Sequence, residues 1–262
     1  MKCAVYLVVG LTLLLWAKAF GEALKVPPIP DGEVRVFNSY YATEKDRPGK
    51  GEPLTEAVAS FAPERYTGEV QWEGEGDQRK LIYSRTAKLT NGASAKLVFT
   101  FELKPKFRLL NYKNTTLAPD GAKLTEEYYN FTDPSLGYPE RTLHVFVGDM
   151  AIRASDLAVG KEIPFTVWLS PEMVFPFRFK VLGEEKLTVP AGTFECYKIE
   201  GVLVPSGLTD LAGIILSKAL GKYYFWVEKG GTHGFIRLRW PVGAGLVPGQ
   251  TKYQTQDLIE LR

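Results

Sequence analysis

Beyond its first nineteen residues the 262-residue chain has one cysteine, Cys196, and only two histidines, His144 and His233. A single thiol excludes an internal disulfide, a thiolate zinc site and paired redox chemistry within one chain. No H-E-x-x-H, G-x-S-x-G or G-x-x-x-x-G-K-S/T arrangement occurs, so the usual signatures of metalloprotease, serine hydrolase and phosphate-loop chemistry are missing. Charge of one sign is also missing. The 32 basic and 30 acidic residues nearly cancel, and the chain has neither the basic domain that nucleic acid calls for nor a polybasic tail for anionic lipid.

The one long apolar run is at the start. Lys2 precedes a 14-residue stretch, Cys3 to Trp16, and Ala17-Lys18-Ala19 has the small-x-small spacing of a signal-peptidase site. A membrane span needs roughly 20 apolar residues, so the expectation is a cleaved signal over residues 1–19 with no stable membrane insertion afterwards. Cys3 opens the run, whereas a lipidation cysteine would follow it. Cleavage would remove Lys2 and Lys18 and no acidic residue, leaving 30 charges of each sign. The expected product is a periplasmic protein, held by its core alone, with residues 20–262 as a single β-rich domain.

Within that domain, residues 20–32 read as a Pro/Gly-rich lead-in and residues 43–56 as a polar loop, both expected to be mobile. From residue 66 a period-2 pattern recurs. Leu81, Tyr83, Arg85, Ala87 and Leu89 share one strand face. Asn91-Gly92 then supplies a hairpin turn, and Ala95, Leu97, Phe99, Phe101 and Leu103 share a face of the next strand. Further strands are expected at 107–116, 122–131, 140–154, 163–169, 175–189, 193–204, 222–228, 234–240 and 251–261. One helix is expected at 206–221, with Ser206 as its cap and Gly221 at its end. The fold class is mainly β: an antiparallel meander curled into a half-barrel or partly closed barrel, with that helix against its open side.

Chemistry-bearing residues are sparse. His144 lies in an alternating strand pattern and His233 in a glycine turn, and both read more simply as structural than as metal ligands. Cys196 reads as a small buried hydrophobe with no local base. Glu126-Glu127 and Glu184-Glu185 are no glycosidase dyads, since adjacent strand residues face opposite ways, and the second pair reads as a turn. No catalytic residue, metal or cofactor is expected. Aromatic residues are abundant, and the same rings could fill a core or line a cavity for an apolar ligand. The candidate ligand-binding residues are Phe99, Phe101, Tyr112, Trp168, Phe177 and Trp226.

The segment Gly183-Glu184-Glu185-Lys186-Leu187-Thr188-Val189-Pro190-Ala191-Gly192-Thr193-Phe194-Glu195-Cys196-Tyr197-Lys198 resembles the Pro-Ala-Gly-Thr stretch of DUF3108, a bacterial exported family of unknown function. Tyr223 to Glu228 with Phe235 to Leu238 is similar to its tryptophan strand and following hairpin, and Asp31-Gly32-Glu33 with the strand after it is similar to its opening. The resemblance implies a periplasmic protein whose sheet curves as in lipoprotein-carrier proteins, which shelter acyl chains. The leading expectation is therefore non-enzymatic binding of a lipid or other amphiphile. A structural or protein-interaction module of the envelope is the alternative, and a hydrolase of envelope glycan or lipid the third.

Overall fold

The computed structural model describes residues 25–42, 65–89, 92–103, 107–138, 142–144, 147–171, 173–204, 221–242 and 252–262. The expected loop at 43–56 and helix at 206–221 fall outside them, apart from Gly221.

Among the described residues, thirteen strands make one sheet. The first six, β1 (Val34–Ala42), β2 (Arg65–Glu73), β3 (Lys80–Lys88), β4 (Ser94–Glu102), β5 (Arg108–Leu117) and β6 (Lys123–Asn130), form one antiparallel meander. The other seven are β7 (Thr142–His144), β8 (Glu162–Ser170), β9 (Met173–Val189), β10 (Gly192–Leu203), β11 (Tyr223–Glu228), β12 (Phe235–Val242) and β13 (Lys252–Leu261). They form a second meander, antiparallel except for the parallel pair β7–β8. The two join where β1 pairs with β13, so the sheet runs from β6 through β1 and β13 to β7.

The mainly-β expectation holds, and the predicted hairpin is β3–β4 with Ala87 opposite Ala95 and Tyr83 opposite Phe99. Its turn is wider than a two-residue one: the Leu89 N–H bonds to the Ala93 carbonyl, and Gly92 takes φ +82°. The expected strand at 140–154 is a correction. It ends at His144, and Gly148–Arg153 form a one-and-a-half-turn helix, α1. Period-2 reasoning failed there because Met150, Ala151 and Ile152 are all buried, which gives an apolar run with no alternation to read. Of the expected lead-in, residues 25–32 lie among the described residues and hydrogen-bond to the sheet and to the segment after α1. Trp72 Nε1 donates to the Ile29 carbonyl at 2.9 Å, Gly32 N–H bonds to Val70 O, and Lys25 N–H bonds to Ala154 O.

Register shifts bend the sheet. In β9 the chain skips Leu182, which is left unpaired and exposed beside Gly183, and similar shifts occur in β1–β13, β4–β5, β5–β6, β8–β9 and β11–β12. Bulges of this kind raise the local twist and let a sheet curl. The curl brings β7 and β8 back over β4–β6, where rings from the two ends meet. Gly201 permits close packing on the way: a Cβ there would lie 2.7 Å from the Phe177 ring.

The concave side also holds a buried ion cluster. The Glu33 carboxylate, just before β1, meets Arg153 of α1 (Oε1–Nη1 2.8 Å, Oε2–Nη2 3.0 Å) and Arg35 of β1 (Oε1–Nε 3.1 Å). Arg153 Nε donates to the Thr232 carbonyl and Arg35 to the Phe235 carbonyl and the Thr232 hydroxyl, so the cluster ties α1, β1 and the β11–β12 turn together. Burial alone would raise the Glu33 carboxyl, but the bonds and charge of Arg153 and Arg35 outweigh it and hold it below its ordinary value. A carboxylate lowered in the folded state lends stability above its unfolded value of 4.5 and withdraws it as pH falls further. Glu33→Gln leaves two buried guanidiniums short of a counter-charge. It is expected to destabilise the protein by about 3–5 kcal/mol at pH 7 in urea unfolding, with the gap to wild type narrowing below pH 4.5. Equal stability of the two proteins at pH 7 would refute the role given to this cluster.

Candidate functional site

Cross-strand register sets a ladder of rings on the concave face. Tyr83 of β3 sits opposite Phe99 of β4, Phe99 opposite Tyr112 of β5, and Tyr112 opposite Tyr129 of β6. Their centroids are 6.4, 5.1 and 6.1 Å apart and their planes nearly parallel, as cross-strand aromatic pairs prefer. From the far end of the sheet, His144 of β7 rests 4.3 Å from Tyr112 and 5.4 Å from Phe99. Trp168 of β8 lies 4.7 Å from Tyr129 and 5.4 Å from Phe131. Thus the ends meet through rings, and among the described residues no hydrogen-bonded ladder joins β6 to β7.

Of the six candidate residues, the structure brings Phe99, Tyr112 and Trp168 together in this cluster. Phe101 stacks on Phe107 at 5.0 Å. Phe177 belongs to a second group, 5.2 Å from Phe165 and 5.7 Å from Tyr223. Trp226 lies on the other face of the sheet, beneath Lys198 (5.2 Å) and Arg237 (5.7 Å), with its indole N–H bonded to Glu185. All six are buried.

A cleft opens beside the first cluster, in the gap between the β5–β6 end and β7. It has a volume of about 190 Å³, and its walls include Phe131, Tyr138, Leu109, Thr132 and Thr142, with Arg108 and Asp133 also lining it. Trp168 connects cleft and ring cluster: its Nε1–H donates to Tyr138 Oη at 2.9 Å, and Phe131 packs edge-on against it. Thr142 is 5% exposed, and its Oγ1 is buried with no hydrogen-bond partner. None of the six sequence candidates lines this cleft. Apart from Arg108 and Leu109 of β5, its described wall residues lie between Phe131 and Thr142, where Asp133-Pro134 reads in sequence only as a turn.

Other titratable groups are placed for structure. Burial pushes the Cys196 thiol up to about 12, with Glu228, Glu185 and Glu195 adding to the rise, so it stays a neutral thiol. His233 takes φ +50° in its turn, and burial lowers its imidazole. Glu184 and Glu185, expected in a turn, instead stand in the middle of β9. Their side chains point to Lys229 and to Trp226 on opposite faces, the alternation that rules out a dyad. Glu126 pairs with Lys113 at 3.1 Å. Asp149 of α1 shares a small cavity of about 10 Å³ with Glu33, Arg35, Arg153, Tyr66 and Tyr83. Burial pushes its carboxyl up to about 6 against the pull of Arg85 and Arg153. The cavity has room for about one water. Among the described residues, no group of three or more His, Cys, Asp or Glu is placed to hold a metal ion.

No family model matches the chain, so the likeness to DUF3108 rests on its motif residues alone. No curated protein matches it either. Among solved structures it is similar to a β-barrel-like protein of the domain of unknown function DUF1849 from Brucella abortus, at TM-score 0.41 and 9% identity over 92% of this chain and 98% of that one. It is also similar to a Bacteroides fragilis protein described as exported and of YmcC-like fold (TM-score 0.36, 11% identity, 92% and 100% covered). A Parabacteroides distasonis protein described as a lipoprotein has TM-score 0.37 and 12% identity over 91% and 99%. Likenesses this distant assign neither a family nor a ligand.

His144 gives the cluster a pH dependence. Burial, with Arg85 nearby, lowers its imidazole to about 3 from 6.5. A histidine lowered in the folded state gives its full stability above 6.5 and loses it progressively as pH falls toward 3. Asp149 acts oppositely: raised from 3.8 to about 6, it favours the folded state more as pH falls through that window. His144→Gln is therefore expected to flatten the decline of melting temperature between pH 6.5 and 4, whereas Asp149→Asn steepens it. Unchanged slopes in both variants would count against these placements.

Proposed function

We propose that the chain is a non-enzymatic protein of the bacterial envelope, exported to the periplasm. There it binds an apolar or amphiphilic molecule, such as a lipid or acyl chain, against the aromatic concave side of its curled sheet. The observation that carries this reading is the way the sheet ends meet. Among the described residues, rings of β4–β6 touch rings of β7–β8 without a shared ladder, so contacts between rings rather than strand–strand hydrogen bonds hold the two ends together there. Phe99, Tyr112 and Trp168 would then face the opening, with Phe101 and Phe177 deeper along the same side. Trp226, on the other face, takes no part in this site. Membership of DUF3108, with its exported location, belongs to the same proposal and is supported by the Pro190-Ala191-Gly192-Thr193 hairpin joining β9 to β10.

A second reading has its own support. β6 is an edge strand whose Leu124 and Tyr128 are 59% and 61% exposed, which suits an envelope interaction module.

Native mass spectrometry of gently purified protein, then of delipidated protein titrated with a saturated fatty-alcohol series, separates the two. One bound chain per protein is expected. Each pair of added methylenes should tighten binding about tenfold, at about 0.8 kcal/mol per buried CH₂, until the groove is filled. No retained or added chain at any length would overturn lipid binding.

A further inference from the structure

The cleft between the β5–β6 end and β7 combines features that a packing defect would not. Its volume, about 190 Å³, exceeds the roughly 150 Å³ of a cavity known to hold one benzene ring. Phe131 and Tyr138 stand 5.8 Å apart, inclined at 40°, and supply two aromatic walls. The Tyr138 oxygen already accepts the indole proton of Trp168, so its own hydroxyl proton is directed to an acceptor elsewhere. Thr142 adds a second hydroxyl, buried and without any partner. Natural interiors rarely leave such a group unsatisfied unless something else completes it.

The charges at the rim restrict what that something is. Arg108 is neutralised by Glu102, to which its Nε donates. Asp133 accepts from the Ser135 N–H and hydroxyl, and those bonds hold its carboxyl below the ordinary value, so it stays anionic. Among the described residues the rim carries one net negative charge, which disfavours a carboxylate or phosphate.

We propose that this cleft binds a small neutral group that joins a flat or compact apolar body to one hydroxyl or carbonyl oxygen. The ring or short chain lies against the Phe131 and Tyr138 walls of the cleft, and its oxygen completes Thr142 and Tyr138. The proposal deepens the amphiphile reading above, on which it rests for the ligand's class, by assigning the polar end a neutral head and a place.

The test uses p-cresol, toluene and benzoate as probes of the whole mature protein. The reporter is the Trp168 indole N–H signal in nitrogen-15 NMR, assigned with Trp168→Phe. Saturable shifts of that signal are expected with p-cresol, about fivefold weaker binding with toluene, and weaker still with benzoate, as one net hydrogen bond and one repelled charge imply. In Thr142→Val the preference for p-cresol over toluene should shrink severalfold. That variant should also melt no lower than wild type, because it replaces an unpartnered hydroxyl with a methyl of the same shape. An unmoved Trp168 signal, a preference for benzoate, or an unchanged p-cresol preference in Thr142→Val would each overturn the proposal. Fatty-alcohol binding that persists alongside any of these results leaves the broader reading standing and removes only this site. Saturable cresol binding without chain binding does the reverse.

Discussion

The pairing of β1 with β13 holds the two meanders in one sheet. Val34 and Arg262 exchange both backbone hydrogen bonds at 2.9 Å, and the register continues from Arg35–Leu261 to Ala42–Tyr253. Side chains reinforce it from both faces. Gln256 donates to Ser39, and Tyr40 bonds to Asp257 at 2.7 Å while Arg237 grips the same carboxylate. These partners are more than 200 residues apart in sequence, so loop closure opposes their meeting until much else has formed. The Glu33–Arg35–Arg153 cluster begins where this pairing begins. It fastens α1, the crossover between β7 and β8, to the first strand of the other meander. An ion cluster of this kind adds little net stability over apolar packing of the same volume, since burying its charges offsets most of their attraction.

What the sequence made legible follows from how locally each feature is encoded. Alternation in Leu81-Ile82-Tyr83 and Ala95 to Phe101 depends only on neighbours along the chain, and the β3–β4 hairpin was readable to within a residue. The helix α1 was not. Leu143, Val147, Met150, Ala151 and Ile152 are all buried, and six residues are too few for a 3.6-residue period to declare itself. Glu184-Glu185 reads as a turn in sequence, whereas the structure places it within a continuous strand, next to the bulge at which Leu182 is left unpaired. One clue to the buried charges was present. Arg85 shares an apolar strand face with Leu81 and Tyr83, and its guanidinium lies over the Tyr66 ring at 4.2 Å. Glu33, Arg35 and Arg153 gave no such sign, because their partnership exists only once distant segments have come together.

The aromatic candidates show the same division. Tyr83, Phe99, Tyr112 and Tyr129 become a ladder through register, which period-2 spacing foreshadows once the strands are paired in order. Trp168 joins them only because the sheet curls, and Trp226 is carried to the opposite face by the phase of β11 relative to its neighbours. Cleft residues such as Tyr138 and Thr142 lie in a connection and a three-residue strand, where no periodicity operates.

The gap that contains the cleft has a cause. Following strand direction along the sheet, β6 and β7 end up antiparallel, because the parallel β7–β8 pair reverses what a simple meander would give. Direction therefore does not forbid closure into a barrel. Where the two ends come together, Tyr129 and Phe131 meet Trp168 of β8 instead, and among the described residues β7 offers three residues for a ladder. Replacing a hydrogen-bonded closure with ring contacts exchanges directional bonds for dispersion forces that lose strength gradually as surfaces separate. Among the described residues, such contacts and no ladder hold the two ends of the sheet along one line. The unpartnered hydroxyl of Thr142 stands at that line.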